Sequence, residues 1–375
     1  MKAKVTIIGA GIGGLTTALT LKQKGLDVEV LEGSAEIKPV GAGINIANNA
    51  MQVFQKLGIQ GKIEKSGHRI SEIKITDSLL NPLSVVDLSE YEQKYGVSSV
   101  AIHRGELQKI LAEEVGYEHI RLSKRLVKIE KEELFKLTFE DDSTIASKIV
   151  IGADGIRSVV RSQLFSENTL RNANQTCWRG ICEFDLPEKY HNELNEAWGR
   201  GKRFGFEKLN GKKVYWYALV DSKNVSSEEI DLVNLFDEFH EDIPAIISST
   251  AKDQIVINEI VDLKPIYKWH RGNVCLIGDA AHATTPNMGQ GACQAIEDAY
   301  VLGKLIDDGF LMENSFVEFE RLRRKKAHSI VNMSWTVGKM AHLENRFGVW
   351  MRNKAMKYMP TSVNKKRMDM IFKLN

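Results

Sequence analysis

Residues 5–32 constrain the fold more than any other part of the sequence. A short apolar run, Val5 to Ile8, leads into a glycine-rich turn, and an apolar helical stretch follows the turn. A second apolar run, Val28 to Leu31, then ends at Glu32. This order of strand, glycine turn, helix, strand and terminal acid is typical of the βαβ unit that binds dinucleotides. The sequence therefore predicts an α/β fold with a Rossmann-like domain.

Each glycine of the turn has a physical reason. Gly9 permits the tight turn off the strand, Gly11 lets the backbone approach a pyrophosphate, and Gly14 lets the helix lie close to the strand. Gly13 belongs to the same predicted cofactor-binding turn, and Glu32 is suited to accept hydrogen bonds from ribose hydroxyls. The alternative is a glycine-rich turn in an unrelated α/β protein. The unit alone does not distinguish NAD from FAD.

Composition indicates an ordinary globular protein with an uneven charge distribution. The chain has 375 residues, of which 43% are hydrophobic and 27% charged, and its formal net charge is +2. Residues 321–375 contain 14 Lys and Arg against only Glu344 and Asp369, which is +12, so the first 320 residues carry about −10. A length of this kind predicts about two or three domains, or one domain inserted into another.

The cysteines and the N-terminus suggest a cytoplasmic location. Cys177, Cys182, Cys275 and Cys293 have neither C-x-x-C spacing nor companion histidines, so we expect no metal site and a reducing compartment. The apolar run that begins at Val5 is too short for a signal peptide or a transmembrane helix.

Two further segments, residues 273–300 and 149–161, contain candidate cofactor-binding residues. In residues 273–300 a buried strand delivers Gly278 and Asp279, and a loop from Pro286 to Gly291 then opens a helix at about Gly289. Asp279 is an acceptor at the end of a strand and is suited to a hydroxyl of a bound cofactor, although a helix or turn cap is the alternative. The amides of the segment 289–291, which includes Gln290, can approach a ring that carries negative charge.

These segments resemble motifs of a known family. Residues 273–300 resemble the GD motif of single-component FAD-dependent aromatic hydroxylases, the para-hydroxybenzoate hydroxylase superfamily, and look most like its salicylate hydroxylase, urate hydroxylase and zeaxanthin epoxidase branch. Residues 149–161, which include Asp154, are similar to the DG motif of that family. With the glycine turn at residues 9–14 they make three motifs in the family's order at about the right separations, so the resemblance spans nearly the whole chain.

The resemblance implies further roles. Asp279 would accept from the ribityl chain of FAD, and Pro286 would face the flavin ring. Arg104 would contact the flavin side, and the strand at Val127 would meet the adenine. For Arg104 the alternative is a surface ion pair. His282 is a candidate general base, but a packed structural histidine is the more common outcome at such a position.

A reductant would bind only transiently. No second G-x-G-x-x-G follows a strand after residue 14, so NADH or NADPH has no permanent domain of its own. Asp154, Arg157 and Arg161 form the candidate region for it, because arginines suit phosphates. Ion pairing at a helix start is the alternative.

The segment 174–267 is predicted to form the substrate pocket. Residues 203–207 and 214–218 are β-like runs joined by a hairpin signal, and residues 70–76 and 83–86 add two more strands. Aromatic side chains on such a sheet can line a pocket, with sheet core as the alternative. The candidates are Phe204, Phe206, Tyr215 and Tyr217. Arg179 is a candidate for binding an acidic substrate or the nicotinamide cofactor, with a plain surface arginine as the alternative.

The catalytic candidates are Pro286, Asn287 and Arg179. Some urate-oxidising relatives have an acid between the proline and the glycine pair of the GD loop, where this sequence has Asn287, so urate is less favoured and phenolate formation falls to another group.

The expected architecture is an FAD-binding domain interrupted by a mixed β-sheet substrate domain and followed by C-terminal helices. The FAD-binding domain comprises residues 1–69, 97–173 and 268–320, and the substrate domain comprises 70–96 and 174–267. Residues 321–375 are expected to pack as helices on the flavin domain, with a membrane surface as the less favoured alternative. We expect no nucleic-acid partner, and a monomer or homodimer.

The resemblance implies a function. It is an FAD-dependent monooxygenase that uses NAD(P)H and O2 to hydroxylate an aromatic or other electron-rich small molecule through a flavin C4a-hydroperoxide. Alternatives are an epoxidase, a drug-inactivating monooxygenase of the same fold, and a flavin-binding protein without turnover.

Overall fold

The elements follow the predicted pattern of strands, glycine turns and helices. The computed structural model describes residues 4–37, 42–225, 230–306 and 312–374. In chain order the strands of this part are β1 (Val5–Ile8), β2 (Val28–Leu31), β3 (Gly43–Ile46), β4 (His68–Ile70), β5 (Glu72–Asp77), β6 (Pro82–Asp87), β7 (Ser99–His103), β8 (Ile120–Arg121), β9 (Leu126–Lys131), β10 (Phe135–Phe139), β11 (Thr144–Ser147), β12 (Ile149–Gly152), β13 (Leu170–Glu183), β14 (Glu193–Trp198), β15 (Lys202–Lys208), β16 (Lys213–Asp221), β17 (Val256–Leu263), β18 (His270–Arg271) and β19 (Val274–Leu276).

The helices are α1 (Ile12–Gln23), α2 (Asn48–Lys56), α3 (Gln60–Ser66), α4 (Ser89–Tyr95), α5 (Arg104–Val115), α6 (Val159–Leu164), α7 (Leu232–Leu235), α8 (Asp242–Ser248), α9 (Asp279–His282), α10 (Gly291–Leu305), α11 (Met312–Ala341), α12 (Arg346–Lys357) and α13 (Thr361–Phe372).

The first sheet brings the three sequence motifs to one edge. Its order is β18-β19-β12-β1-β2-β8, and all neighbours are parallel except β18 and β19. The glycine turn follows β1, the DG motif follows β12 and the GD motif follows β19. These three strands are adjacent and parallel, so the motifs meet where their carboxyl ends lie, which is where open α/β sheets bind ligands. The predicted Rossmann-like arrangement is confirmed.

The second large sheet is mixed and is assembled from two separate parts of the chain. Its order is β17-β13-β16-β15-β14-β5-β6, and β14 with β5 is its parallel pair. Strands β5 and β6 come from the segment before residue 97, whereas the others follow residue 169. The hairpin expected around residues 209–212 joins β15 to β16 in antiparallel register. The sheet is therefore inserted into the FAD-binding domain, while the exact domain boundaries stay a prediction.

The two faces of this sheet are covered differently. Helices α7 and α8 pack on its outer face around a cluster of large apolar side chains that includes Trp216 and Phe236. The inner face is directed at the FAD-binding domain, where a Cβ on Gly43 of β3 would collide with the ring of Tyr215. Strand β3 belongs to a small antiparallel sheet, β3-β7-β4, which therefore lies between the two large ones.

The C-terminal helices are part of the core. Helix α11 crosses α10, and its Phe316 and Phe319 are buried in the same cluster as the first sheet. Phe372 of α13 is also buried there and packs edge-to-face on Tyr91, with the ring centroids 5.0 Å apart. Among the described residues, no helix has the length and apolar character that crossing a bilayer requires.

Candidate active site

The glycine turn leaves the start of α1 open. Gly9 has a φ of +104°, which L side chains rarely adopt, and a Cβ on Gly14 would lie 2.0 Å from the carbonyl oxygen of Gly9. Helix α1 begins after Gly11, which supplies no side-chain cap. The first N–H groups of α1 therefore remain available for an anion, and the positive end of the helix dipole favours one.

Glu32 is fixed at the end of β2 by the backbone around it. Its Oε2 accepts a hydrogen bond from the N–H of Ala10 at 2.7 Å, and its Oε1 accepts one from the N–H of Ser34 at 2.8 Å. These bonds hold the carboxylate beside the glycine turn. Lone pairs remain for ribose hydroxyls, because an ionised carboxylate can accept about four hydrogen bonds.

A cavity joins these groups. It measures about 470 Å³ and brings together Gly11, Glu32 and Arg104, three residues that the sequence had nominated separately. Its lining residues are Gly11, Ile12, Glu32, Ser34, Ala35, Glu36, Ile37, Arg104 and Gln108. A Cβ on Gly11 would meet no protein atom within 4 Å, so this glycine borders open space. The cavity suits a ribose and a pyrophosphate, the polar middle of a dinucleotide.

The GD motif begins with a strained turn. Gly278 has a φ of +54°, and its N–H donates to Asp298 Oδ2 of α10 at 2.9 Å. Asp279 follows as the first residue of α9, and its side chain is exposed in the cleft at the end of β19. Desolvation by the walls of the cleft raises the pKa of Asp279, while His282 and Arg104 act in the opposite direction and lower it. The carboxylate is thus placed as an acceptor at the sheet edge, and its ribityl contact stays a prediction.

The second half of the GD motif forms a compact loop. Pro286–Met288 is a single 3-10 turn, Gly289 has a φ of +59°, and α10 begins at Gly291, two residues later than predicted. Gln290 is buried, and its Oε1 accepts from Asn49 Nδ2 at 3.3 Å. The N–H of Gly289 donates to the carbonyl of Pro286 at 2.9 Å within the loop, and the predicted approach of the 289–291 amides to a ring stays a prediction.

His282 is a structural residue. Its Nε2 lies 2.5 Å from Asp298 Oδ2, and both side chains are buried. Burial alone would raise the pKa of Asp298, but His282 and Arg323 lower it to about 2. The pair holds α9 against α10. His282 thus has the packed structural role that the sequence left open as the alternative to a general base.

Most polar groups of the candidate nicotinamide region are already bonded to other parts of the protein. Asp154 accepts from Ser158 Oγ at 2.5 Å and from the N–H of Val159 at 2.7 Å, which caps the start of α6. Arg161 is buried and donates to the carbonyl of Ala280 at 2.8 Å. For Asp154 and Arg161 the structure favours the helix-start alternative, because their polar atoms are already used.

Two further candidates lie apart from each other. Arg104 is the first residue of α5 and lines the cavity, so it lies where a cofactor contact is possible. Val127 is exposed on β9, and its carbonyl accepts from Gln163 Nε2 at 2.9 Å. It does not line the described cavity. The predicted adenine contact of Val127 stays a prediction.

The register of the mixed sheet corrects the predicted pocket. Phe204 pairs with Ala218 and Phe206 pairs with Trp216, and all four side chains belong to the outer cluster under α7 and α8. Successive side chains in a strand point to opposite faces, so these phenylalanines point away from the FAD-binding domain. The prediction that Phe204 and Phe206 line the substrate pocket is therefore wrong.

The inner face instead carries polar groups beside two tyrosines. Across the strands Arg179 is paired with Tyr217, and Tyr215 is paired with Glu207. Arg179 is half-buried and reaches Asn258 Oδ1 at 3.4 Å. Tyr215, Tyr217 and Arg179 thus share the face directed at the FAD-binding domain, and substrate contact by these three residues stays a prediction.

A hydrogen-bond network connects this face to the GD loop. Glu196 accepts from the Tyr217 hydroxyl at 2.5 Å and from Arg203 Nη1 at 3.0 Å. Arg203 Nη2 in turn donates to Asn287 Oδ1. Asn287 Nδ2 donates to the carbonyl of Ser334 on α11 at 2.7 Å. Asn287 is therefore a junction between the mixed sheet, the GD loop and the C-terminal helix.

Sequence reasoning missed Arg203, Glu196 and Glu207. Strand alternation within 203–207 could have found Arg203 and Glu207, because they flank the two phenylalanines and so fall on the opposite face of the strand. Glu196 had no signal of its own, since it lies outside the predicted strands and an isolated acid is usually solvated.

Comparison with known proteins decides the family. The FAD binding domain family matches residues 2–308 of the chain. The chain belongs to the FAD binding domain family. This match confirms the resemblance that was based on the GD and DG motifs, and the residues around the cavity and the sheet edge fit FAD as the cofactor.

Relatives within the FAD binding domain family cover almost the whole chain. The protein named aurachin C monooxygenase/isomerase of Stigmatella aurantiaca is 33% identical over 96% of this chain and 95% of its own length. The protein named 2-heptyl-3-hydroxy-4(1H)-quinolone synthase of Pseudomonas aeruginosa is 31% identical over 98% of this chain and 97% of its own length. With such relatives, the chain is an FAD-dependent monooxygenase of the aromatic hydroxylase type.

A solved structure supports the same conclusion. Klebsiella pneumoniae HpxO complexed with FAD and uric acid superposes with a TM-score of 0.89, covers 98% of this chain and 96% of its own, and is 26% identical. The fold described above is therefore that of an FAD-containing member of the family.

Proposed function

We propose that the protein uses NADH or NADPH and O2 to hydroxylate an electron-rich aromatic or heteroaromatic small molecule. The observation that carries the proposal is the inner face of the mixed sheet, where Arg179, Tyr215, Tyr217 and Glu207 are directed at the FAD-binding domain. Bound FAD supplies the oxygen-transfer chemistry, and the protein supplies placement, charge and exclusion of water.

The FAD-binding residues act at three places. The open start of α1 and Gly11 would hold the pyrophosphate, and Glu32 would accept from ribose hydroxyls. Asp279, at the end of β19, would accept from the ribityl chain. The N–H groups of the first turn of α10 would stabilise negative charge on the ring, because the positive end of the helix dipole lies there.

Glu207 is the proposed proton acceptor for the substrate. Burial raises the pKa of its carboxyl to about 7, and Asn45 Nδ2 donates to it at 3.4 Å. A carboxyl with a pKa near neutrality can take a proton from a ring O–H or N–H at working pH. Loss of that proton increases the electron density of the ring and favours attack on an electrophilic oxygen. This assigns the role that Asn287 cannot fill.

A 4-quinolone is the substrate class to test first. The Pseudomonas relative is named for a 3-hydroxy-4-quinolone product and matches this chain over nearly its full length. Urate ranks lower, because Asn287 is neutral and is already bonded to Arg203 and Ser334. A cytoplasmic location belongs to the same proposal, since all four cysteines are free and buried.

Flavin spectroscopy tests the proposal. The purified protein is expected to be yellow, and anaerobic NADH or NADPH is expected to bleach it, with air restoring the colour. Addition of 2-heptyl-4(1H)-quinolone is expected to accelerate bleaching and to yield a product heavier by one oxygen atom. A yellow protein that neither nucleotide bleaches would contradict the proposed reductant. Bleaching with only hydrogen peroxide formed, across phenols, purines and quinolones, would contradict the proposed substrate class.

A further inference from the structure

Helix α12 presents an unusual outer face. Four of its large apolar side chains are exposed on one stripe: Phe347 at 69%, Trp350 at 54%, Met351 at 50% and Tyr358, just after its last turn, at 72%. Their spacing of three, four and seven residues places them on one side of a helix. The rings of Phe347 and Trp350 are stacked with centroids 5.9 Å apart.

The inner face of the same helix buries one charged and one apolar side chain. Arg352 is buried and donates through Nη1 to the carbonyl of Ala341 at 2.9 Å, and Met356 packs beside it. A surface helix normally turns its apolar stripe to the core and its charges to water. Helix α12 instead leaves more of its large apolar side chains in water than it buries, which indicates that its exposed stripe has a partner outside the chain.

Positive charge surrounds the stripe. Residues 345–368 contain seven Lys and Arg and not one acid. Arg346, Lys354 and Lys357 are exposed on α12, and helical periodicity places Lys354 within the stripe and the other two along one side of it. Within the described part of the chain, no carboxylate forms an ion pair with these three cations, while the nearest preceding acid, Glu344, is paired with Lys223 at 2.8 Å.

We propose that α12 docks on the surface of a bilayer that contains anionic lipids. Aromatic side chains on one stripe with flanking Lys and Arg are the composition of helices that lie in the membrane interface. The cations would meet the headgroups, and the rings would enter the boundary between headgroups and acyl chains. The docking is peripheral and independent of the proposed reaction.

The size of the stripe disfavours a second copy of the chain as its occupant. Four side chains of this exposure offer roughly 500 Å², whereas a stable protein interface buries about 800 Å² per partner. A bilayer makes no such demand, because a few aromatic anchors and several cations together suffice for reversible binding.

Vesicle sedimentation of the FAD-loaded protein tests the proposal. We expect the protein to sediment with vesicles of phosphatidylcholine and phosphatidylglycerol, and to do so at least about tenfold less with phosphatidylcholine alone. The variant Phe347→Ser/Trp350→Ser/Met351→Ser should weaken binding to the anionic vesicles at least about tenfold, and Lys354→Gln/Lys357→Gln should weaken it about fivefold per charge. The matched control Tyr117→Ser, an exposed aromatic away from α12, should bind as the wild type does.

Trp350 gives a second readout. Its fluorescence should shift to the blue and be quenched by brominated lipids on anionic vesicles, and Trp350→Phe should remove this signal while keeping binding. Wild-type protein that stays in the supernatant with anionic vesicles would overturn the proposal. A triple variant that binds anionic vesicles as well as the wild type does would also overturn it. The same holds if the wild type forms a dimer and does not bind vesicles, and the triple variant dissociates that dimer. Retained flavin absorbance in each variant excludes unfolding as the cause.

Discussion

Gly11 and Gly14 are close in sequence but differ in what surrounds them. A Cβ on Gly11 would meet no protein atom within 4 Å, whereas one on Gly14 would lie 2.0 Å from the Gly9 carbonyl oxygen. We therefore expect Gly11→Ala to fold normally and to lower FAD affinity at least about tenfold, because the methyl group occupies the pyrophosphate position.

Gly14→Ala is the matched comparison. It should destabilise the apoprotein itself by about 1–3 kcal/mol, because backbone must move to admit the methyl group. Urea denaturation of the apoproteins and fluorescence titration with FAD separate the two effects. Equal stability of both variants, or normal FAD binding by Gly11→Ala, would argue against the assignment of this turn.

Glu207 makes stability depend on pH. Its pKa is about 7 in the folded chain and 4.5 for an ordinary glutamate, so the folded state holds the proton more tightly. The free energy of unfolding therefore falls by about 3 kcal/mol in total as pH rises from about 4.5 to 7. Above that range Glu207 changes it little. Glu207→Gln removes the dependence.

The stability of Glu207→Gln relative to the wild type should therefore increase between pH 5 and pH 8. Urea denaturation at both values measures the change, and Glu183→Gln, an exposed glutamate at the end of β13, is the control. A difference between variant and wild type that is the same at both pH values would show that Glu207 titrates as an ordinary carboxyl.

At the scale of elements, a buried ionic cluster joins α10 to α11. Arg323 Nε donates to Asp298 Oδ1 at 2.7 Å and Arg323 Nη1 to Glu297 Oε1 at 2.5 Å, and all three side chains are fully buried. Lys326 Nζ also donates to Glu297, at 2.9 Å. Because Asp298 also accepts from Gly278, the cluster positions the GD turn.

Arg323→Met should cost about 3–5 kcal/mol of folding free energy, since it leaves buried carboxylates without their partner. FAD should also dissociate faster, because the anchor of Gly278 is loosened. Arg321→Ala is the control: its exposed pair with Glu318 is expected to contribute less than about 1 kcal/mol. Equal effects of the two substitutions in urea denaturation would refute the role of the cluster.

The elements that sequence predicted well are those with local signals. The turn at Gly9 and the strands around it follow from steric and periodic rules that act over a few residues. The faces of the mixed sheet do not, because they depend on which side α7 and α8 cover. Phe204 and Phe206 were placed wrongly for that reason, and Arg203 and Glu207, which occupy the alternate positions, were overlooked.

At the scale of the whole molecule, the last helix closes the core. Phe372 packs against Tyr91, and its carbonyl accepts from Gln52 Nε2 at 2.9 Å. We expect deletion of residues 361–375 to cost more than about 4 kcal/mol, because two buried side chains are lost and a cavity opens beside α2. Val363→Ser, on the exposed side of α13, should have little effect. A truncated chain with unchanged urea denaturation would contradict this expectation.

The basic residues of the segment 321–375 lie in two different environments. Arg323 and Lys326 neutralise acids of the body within the core, whereas Arg346, Lys354 and Lys357 remain on the surface of α12. The uneven distribution is thus partly internal pairing and partly a surface feature.

The burial of Arg323 against Asp298 also has a consequence for biosynthesis. The strands that carry the glycine turn and the GD motif leave the ribosome before α11 does, and until then Asp298 lacks its Arg323 partner. Because domains fold as units when their full sequence has emerged, the cofactor pocket acquires its final shape only near chain termination. We therefore expect FAD to be captured by the released polypeptide and not by the nascent one.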